Sequence, residues 1–504
     1  MFSPSTLWKS PELNPINNKA RTIPLLNIAN VHGRVFFFSW LGFFIAFWSW
    51  YAFPPLLKSV IATDLKLSQP QVLTSNIIAL LATLLVRLVA GPCCDAFGPR
   101  KTFAGCLLIG AIPTFLAGTI QNFGGLCAIR FFVGILGGSF VPCQVWTTAF
   151  YDKNIVGTAN SLTGGFGNSG GGVTYFVMPA VYNSLRSQGL SSDKAWRVSF
   201  VVPGILIVSV AIALLVFTPD TPTGKWKDRE VAVQRGIGSI SGQGAPVAAD
   251  SDTEKGSSGN ITPPNEDKKD LAPAPLKQDT QVGEQYNISE HQQEVIMKPT
   301  WKEAMKVVRS PQTLVLGACY ASSFGAELAV NSILGSYFKK NNPHLTLQGS
   351  GNWAAMFGLM NVVFRPLGGA VADFAYKKTH SLWAKKILLH SYCLLAGVFL
   401  IATGLTDRHN DLGWMVGLLC IGFAFFDEGA NGLNFALVPH VHPYANGIVS
   451  GVTGACGNLG GIIFAIVYRY GGDYHRATWI IGVIMVALQV LTFWIKPVPA
   501  HRAI

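Results

Sequence analysis

Arg87 and Arg365 each lie inside a long apolar stretch, and each opens the same spacing, with a glycine four residues on and an aspartate eight residues on. The first copy reads Arg87, Gly91, Asp95 and the second Arg365, Gly369, Asp373. A cation inside a bilayer costs about 2.5–3.5 kcal/mol on insertion scales, so two at equivalent places need a compensating partner, and the chemistry of that partner is an anion. A second duplicated pattern accompanies them: GGFGNSGGG from Gly164 to Gly172 and GACGNLGGI from Gly454 to Ile462, with Asn168 and Asn458 at the matching position. A carboxamide can donate to an anion while accepting from an arginine. Three acids, Glu327, Asp427 and Glu428, also fall in apolar stretches. Acids there are rare and serve proton relays, unless polar neighbours simply satisfy them.

The elements that must position these residues follow from composition. The chain has 504 residues, 50% hydrophobic and only 13% charged, with 53 glycines and a mean hydropathy of +0.36. That balance excludes an ordinary soluble enzyme and describes a polytopic membrane protein in contact with the lipid bilayer. About twelve apolar stretches are long enough to cross a roughly 30 Å hydrocarbon core as helices. They lie near 35–57, 72–92, 102–120, 123–149, 155–182 and 197–217, then near 311–338, 350–371, 386–405, 412–438, 444–469 and 475–496. All nine cysteines fall in or beside these stretches, without zinc-ligand spacing to histidine, and read as small hydrophobes. No metal and no cofactor is expected. The net charge of +12 does not imply nucleic acid, because residues 218–310 hold more acids than bases and the excess sits in the membrane-embedded remainder. Loops on the side of both termini carry the larger share of Lys and Arg once the basic ends of the central segment are included. The termini and central loop are therefore expected to be cytoplasmic.

Six spans, a long polar segment and six more spans make an internal duplication, the plan of two-bundle secondary transporters with a midplane site between the repeats. The expected organisation is an N-terminal segment over 1–34, a six-helix bundle over 35–217, a central loop over 218–310, a second bundle over 311–496 and a tail over 497–504. The central loop is rich in Ser, Gly, Pro and charge and reads as a largely disordered linker, open to regulatory proteins or kinases. Its Asn260 and Asn287 triplets would accept glycans only outside the cytoplasm. Residues 301–308 have the apolar spacing of a helix lying on a membrane surface.

The run from Gly91 to Lys101, GPCCDAFGPRK, resembles the loop signature of the major facilitator superfamily, Gly-x-x-x-Asp-x-x-Gly followed by basic residues. Asp95 is expected to accept bonds from a neighbouring helix end or from Arg100, and Asp373 is its echo. Arg130, Gly134 and Gly138 resemble that superfamily's fourth-span pattern, which gives Arg130 a structural or gating role. The glycine runs predict grooves in which another helix can rock, with Gly164, Gly167 and Gly171 in one and Gly457, Gly460 and Gly461 in the other. Extended to GGFGNSGGGVTYFVMP and GACGNLGGIIFAIVYRY, they resemble the nitrate signatures of the nitrate/nitrite porter family. The resemblance runs from the first span to the last and is strongest toward the fungal high-affinity nitrate transporters. It implies an all-α membrane protein with the major facilitator fold: 12 transmembrane helices in two six-helix bundles, multi-pass in the plasma membrane and not an enzyme. It also implies that Arg87 and Arg365 grip nitrate, and nitrite too, from opposite bundles. A planar guanidinium fork suits a planar oxyanion as lysine does not. Tyr320, Phe324 and Phe47 match the family's aromatic contact positions, and Phe140 matches another. Glu327 lies seven residues after Tyr320, so Glu327 or Glu428, then Asp427, is the expected proton carrier in nitrate symport. Exchange of nitrate for nitrite, or nitrate sensing with little transport, are the competing readings.

Overall fold

The computed structural model describes residues 4–229, 231, 300–345 and 347–499, and within these it is a bundle of long helices. Lipid offers backbone groups no hydrogen bonds, so apolar segments of this length satisfy them internally as helices. The first six are α1 (Val31–Leu56), α2 (Pro70–Phe97), α3 (Pro99–Thr119), α4 (Phe123–Phe150), α5 (Val156–Ser187) and α6 (Ser192–Phe217). The second six are α7 (Pro311–Asn341), α8 (Gly349–Thr379), α9 (Leu382–Thr406), α10 (Leu412–Val441), α11 (Pro443–Tyr470) and α12 (Tyr474–Thr492). Eleven of the twelve are both long and apolar enough to span a membrane. The twelfth, α5, has 32 residues, and its glycine, serine and asparagine content lowers its hydropathy.

The duplication is visible in the packing. In the first half α1 packs on α5, α2 on α4 and α3 on α6; in the second, α7 packs on α11, α8 on α10 and α9 on α12. The halves meet where α2 crosses α11 and α5 crosses α8, again an equivalent pair. Both crossings need glycine: a side chain on Gly91 would place its Cβ 2.5 Å from the Gly447 carbonyl oxygen.

Several helices are irregular near the middle. In α4 the turn Gly134–Ser139 tightens to a 3-10 helix ahead of Pro142, whose ring meets the carbonyl four residues back. In α10 the stretch Val416–Phe423 widens to a π-helix. In α8 helical structure stops at Met360 and resumes at Phe364. Pro366 accounts for the break, since it offers no N–H and crowds the Val362 carbonyl.

One end of the molecule is bolted shut by the two motif aspartates. Asp95, near the end of α2, accepts from the backbone N–H of Gly447 at 2.9 Å and of Ile448 at 3.0 Å, capping the start of α11. Asp373, at the equivalent place in α8, accepts from Thr158 N at 2.6 Å and Thr158 Oγ1 at 2.8 Å at the start of α5. An anion at a helix N-terminus is favourable, and here each cap also ties one bundle to the other. Of the two partners expected for Asp95, the helix end is the one found. Arg100 instead pairs with Asp220 at 2.6 Å.

The central segment is not a linker from its first residue. Trp226 is 5% exposed, packs on Gly98 in the α2–α3 turn and donates from Nε1 to the Asp95 carbonyl at 3.3 Å. Gly98 has φ +93°, which a side chain would strain. Residues 232–299, with Asn260 and Asn287, lie outside the described residues, and so do 500–504. Residues Trp301–Val308 form a helix started by a Thr300–Glu303 capping box, with Val307 buried and Trp301 exposed. Glu303, outside the spans, is held below its usual carboxylate range by the backbone and hydroxyl of Thr300.

Candidate functional site

Arg87 on α2 and Arg365 on α8 are buried, at 1% and 0% exposure. The first glycine of each duplicated run makes room for the arginine of the opposite half. A Cβ on Gly164 of α5 would lie 2.8 Å from Arg365 Nε, and one on Gly454 of α11 would lie 3.2 Å from Arg87 Cδ. Both the arginines and the glycine runs were legible in sequence, but that each arginine meets the run of the opposite half was not.

Three of the rings expected at the site, Phe140, Tyr320 and Phe324, stand around the two guanidiniums. Phe140 on α4 lies between the guanidiniums, its centroid 4.9 Å from Arg87 Cζ and 5.5 Å from Arg365 Cζ. Phe324 is 5.2 Å from Arg87 Cζ. Tyr320 and Phe324, one turn apart on α7, stack at 5.0 Å and lie within 10° of parallel to Phe140. Ring faces attract a desolvated cation without neutralising it. Two further rings, which sequence reasoning did not single out, complete the wall. Phe435 of α10 meets Phe140 edge-on at 4.8 Å and Tyr320 at 5.1 Å, and Phe43 of α1 lies 5.3 Å from Phe140. Phe47 sits one turn past Phe43, stacked on Trp50 and facing Gly171, so Phe43 is the α1 ring that reaches Phe140. The only advance signal was the four-residue spacing of Phe43 and Phe47 on one helical stripe.

The two arginines are not equivalent. Arg87 donates from Nε to the Gly137 carbonyl and from Nη1 to the Gly454 carbonyl, both at 2.9 Å. Arg365 donates from Nη2 to the Tyr320 hydroxyl at 3.1 Å, while its Nε and Nη1 are buried without a partner. Asn458 donates to the same Gly454 carbonyl at 3.1 Å. Asn168, one turn beyond Gly164, is buried with neither amide atom partnered. Among the described residues neither guanidinium has a carboxylate in hydrogen-bonding contact. The site thus offers unspent N–H donors beside two cations, which is chemistry for an anion.

The remaining glycines of the runs serve the helix crossings: Gly167 faces Phe43, Gly457 faces Tyr320 and Phe324, Gly460 meets the α7 backbone at Ala321, and Gly461 faces Leu328. Arg130 lies away from this centre, donating to Ser75 Oγ at 3.0 Å and to Asn76 Oδ1. The three acids lie deep in the second bundle. Glu327 accepts from Asn361 Nδ2 at 2.9 Å and from Asn431 Nδ2 at 2.8 Å. It is close enough to both guanidiniums to interact with them electrostatically. Glu428 accepts from Asn361 at 3.3 Å through Oε1, and its Oε2 and both oxygens of Asp427 are buried without partners. Asn361, which joins Glu327 to Glu428, and Asn431, which binds Glu327, carried no sequence signal of their own.

Comparison with known proteins places this geometry in a wider set. The profile described as Major Facilitator Superfamily matches residues 39–465. The chain is 41% identical to Elsinochrome transporter 1 of Elsinoe fawcettii, over 98% of this chain and 99% of that one. It is 29% identical to High affinity nitrate transporter 2.5 of Arabidopsis thaliana, over 94% and 81%. A solved proton:xylose symporter, XylE, shares its fold at a TM-score of 0.62 and 14% identity, covering 91% of this chain and 94% of that one.

Proposed function

The chain belongs to the Major Facilitator Superfamily, and on that premise we propose that it carries nitrate inward across the plasma membrane by alternating access, together with protons. The observation that carries the reading is the pair of buried guanidiniums from opposite bundles around Phe140, with two donors of Arg365 unspent. A flat monovalent oxyanion can take one of those donors together with the second N–H of Nη2 edge-on while ring faces cover its plane, and nitrite, smaller and also planar, fits the same edge. Two guanidinium charges and one nitrate leave about one net positive charge between the arginines. The relative named as a nitrate transporter supports the choice of anion.

Alternating access follows from the two latches. Asp95 and Asp373 hold the ends of α2 and α8 on the starts of α11 and α5, so this end opens only when both caps are released. Binding at the arginines pulls α2 and α8 toward one anion and lets the glycine-lined crossings rock. Proton coupling rests on the buried acids. If Glu327→Gln and Glu428→Gln both kept nitrate-driven proton uptake, neither carboxyl would be the carrier. The orientation with termini and central segment in the cytoplasm puts the latches on the cytoplasmic side.

A second reading is favoured by one observation, the 41% identity to a relative named for elsinochrome. Tracer uptake by purified protein in proteoliposomes decides between them. Saturable nitrate uptake, inhibited by nitrite and driven by an inward proton gradient, is expected. Absence of nitrate uptake with retained elsinochrome transport would establish the second reading instead.

A further inference from the structure

Asn361 stands at a junction that the function so far leaves unused. It falls in the non-helical link of α8, one residue past Met360 and four before Arg365. Its Nδ2 carries two N–H groups, and it donates to Glu327 on α7 at 2.9 Å and to Glu428 on α10 at 3.3 Å. Its backbone carbonyl, with the Pro366 ring, fills the space that a side chain on Gly165 would need, so the same residue abuts the glycine run of the opposite bundle.

The neighbouring amide is held differently. Asn431 donates to Glu327 Oε2 at 2.8 Å, and its own Oδ1 accepts from Ser323 Oγ at 2.8 Å, which fixes which way the amide faces. Asn361 Oδ1 is buried with no partner, and so is Glu428 Oε2. A carboxylate only accepts hydrogen bonds, whereas a carboxylic acid also donates one. An amide with both N–H groups given to carboxylates and a free oxygen beside them can serve either state by turning about its last torsion.

We infer that Asn361 is the positioning residue that converts proton binding at the Glu327–Glu428 pair into movement of the α8 segment carrying Arg365. A proton taken from water on one face of the membrane bonds to a carboxylate oxygen of the pair. The new O–H donates to Asn361 Oδ1, and the amide withdraws an N–H from that carboxyl. Because the α8 backbone at 361–363 replaces the α-helical ladder with three-residue turn bonds, Val362 N to the Leu359 carbonyl at 3.1 Å and Val363 N to the Met360 carbonyl at 2.9 Å, the link follows the side chain and shifts Arg365 and the Gly165 contact together. The proton leaves to water on the other face when the link returns. The charged and titratable groups facing this cluster are Glu327 from α7, Glu428 and Asp427 from α10, Arg365 from α8 itself and Arg87 from α2. The phenols of Tyr320 and Tyr51 and the thiols of Cys393 and Cys420 lie beyond them.

The assignment rests on the proton-coupled reading above, and its test separates the two. Wild type, Asn361→Leu and Asn361→Gln are reconstituted in proteoliposomes. Tracer nitrate counterflow without a gradient and nitrate-driven proton uptake by an internal pH dye are measured across pH. Asn361→Leu is expected to keep counterflow within about threefold while proton uptake per nitrate falls about tenfold or more, within the usual span of coupling energies. Its pH profile flattens, and Asn361→Gln restores much of the loss. Wild-type proton uptake and pH profile in Asn361→Leu would overturn the assignment and leave proton symport standing. No nitrate-driven proton uptake in wild type would overturn both. Should Asn361→Leu fail to accumulate, the isosteric Asn361→Asp decides. One more carboxyl in the cluster is expected to displace the pH profile by about half a unit or more, and a superimposable profile would refute the role.

Discussion

Replacing each arginine by lysine keeps the charge and removes the fork, and the structure predicts unequal outcomes. Arg365 has two buried donors unspent, Nε and Nη1, and either one with the second N–H of Nη2 presents a two-pronged edge, so in the proposed complex it supplies a bidentate grip. Lysine supplies one point contact. Losing one charge-assisted bond costs about 1.5–3 kcal/mol, or roughly 10- to 150-fold in nitrate affinity. Arg87 already spends Nε and Nη1 on the Gly137 and Gly454 carbonyls. Arg87→Lys therefore loses less grip on nitrate, but it removes the bond to the Gly137 carbonyl and one of the two side-chain bonds to the Gly454 carbonyl, at about 1–3 kcal/mol of stability. The assay is tracer nitrate KM beside the thermal midpoint of the detergent-solubilised protein. Arg365→Lys should raise KM roughly 100-fold at a nearly unchanged midpoint, whereas Arg87→Lys should lower the midpoint and raise KM less. Equal KM in Arg365→Lys and wild type would refute bidentate recognition. A reversed ranking would show that the spent and unspent donors are not what sets affinity.

Three further outcomes follow from the latches and crossings. Asp95→Asn weakens a cap on two N–H groups and should cost about 1 kcal/mol, while Asp373→Asn also removes the counter-ion of buried Lys385, which lies 3.1 Å away, and should cost about 3–5 kcal/mol, read by denaturation in detergent. Gly164→Ala pushes a methyl to 2.8 Å from Arg365 Nε and should abolish nitrate uptake, while Gly454→Ala, at 3.2 Å from a flexible Cδ of Arg87, should retain a measurable fraction. Trp226→Ala empties the packing on Gly98 and loses the bond to the Asp95 carbonyl. Thiol labelling at Cys93, half-buried beside that latch, should then speed up, and an unchanged rate would mean that the strap does not support the latch.

How much of this was legible in the chain depends on whether the signal is local. The span positions, the duplication and the two arginines were readable, because lipid forces apolar composition on each segment separately and makes a buried cation conspicuous wherever it falls. Several helices run about a turn or more past their predicted ends, as at Phe97, Ser187 and Asn341, since polar residues such as those of Lys339 to Asn341 extend the helix into the interface. The glycine–asparagine runs announced close crossings, but not that Gly164 would meet Arg365 and Gly454 would meet Arg87.

The sequence by itself determined that this is a duplicated twelve-span membrane protein with cations and acids in its interior, since each of those facts is a property of one segment and its solvent. The tertiary structure alone decided which donors are spent. That Arg87 is satisfied by carbonyls and Arg365 is not depends on where α4 and α11 place Gly137 and Gly454, 50 and 367 residues away. It also decided that Phe43 and Phe435 complete the aromatic wall, and that Asn361 and Asn431 bind Glu327. A phenylalanine or an asparagine has no distinctive neighbourhood in the chain. Its role is fixed only by what another helix brings within a few ångströms of it.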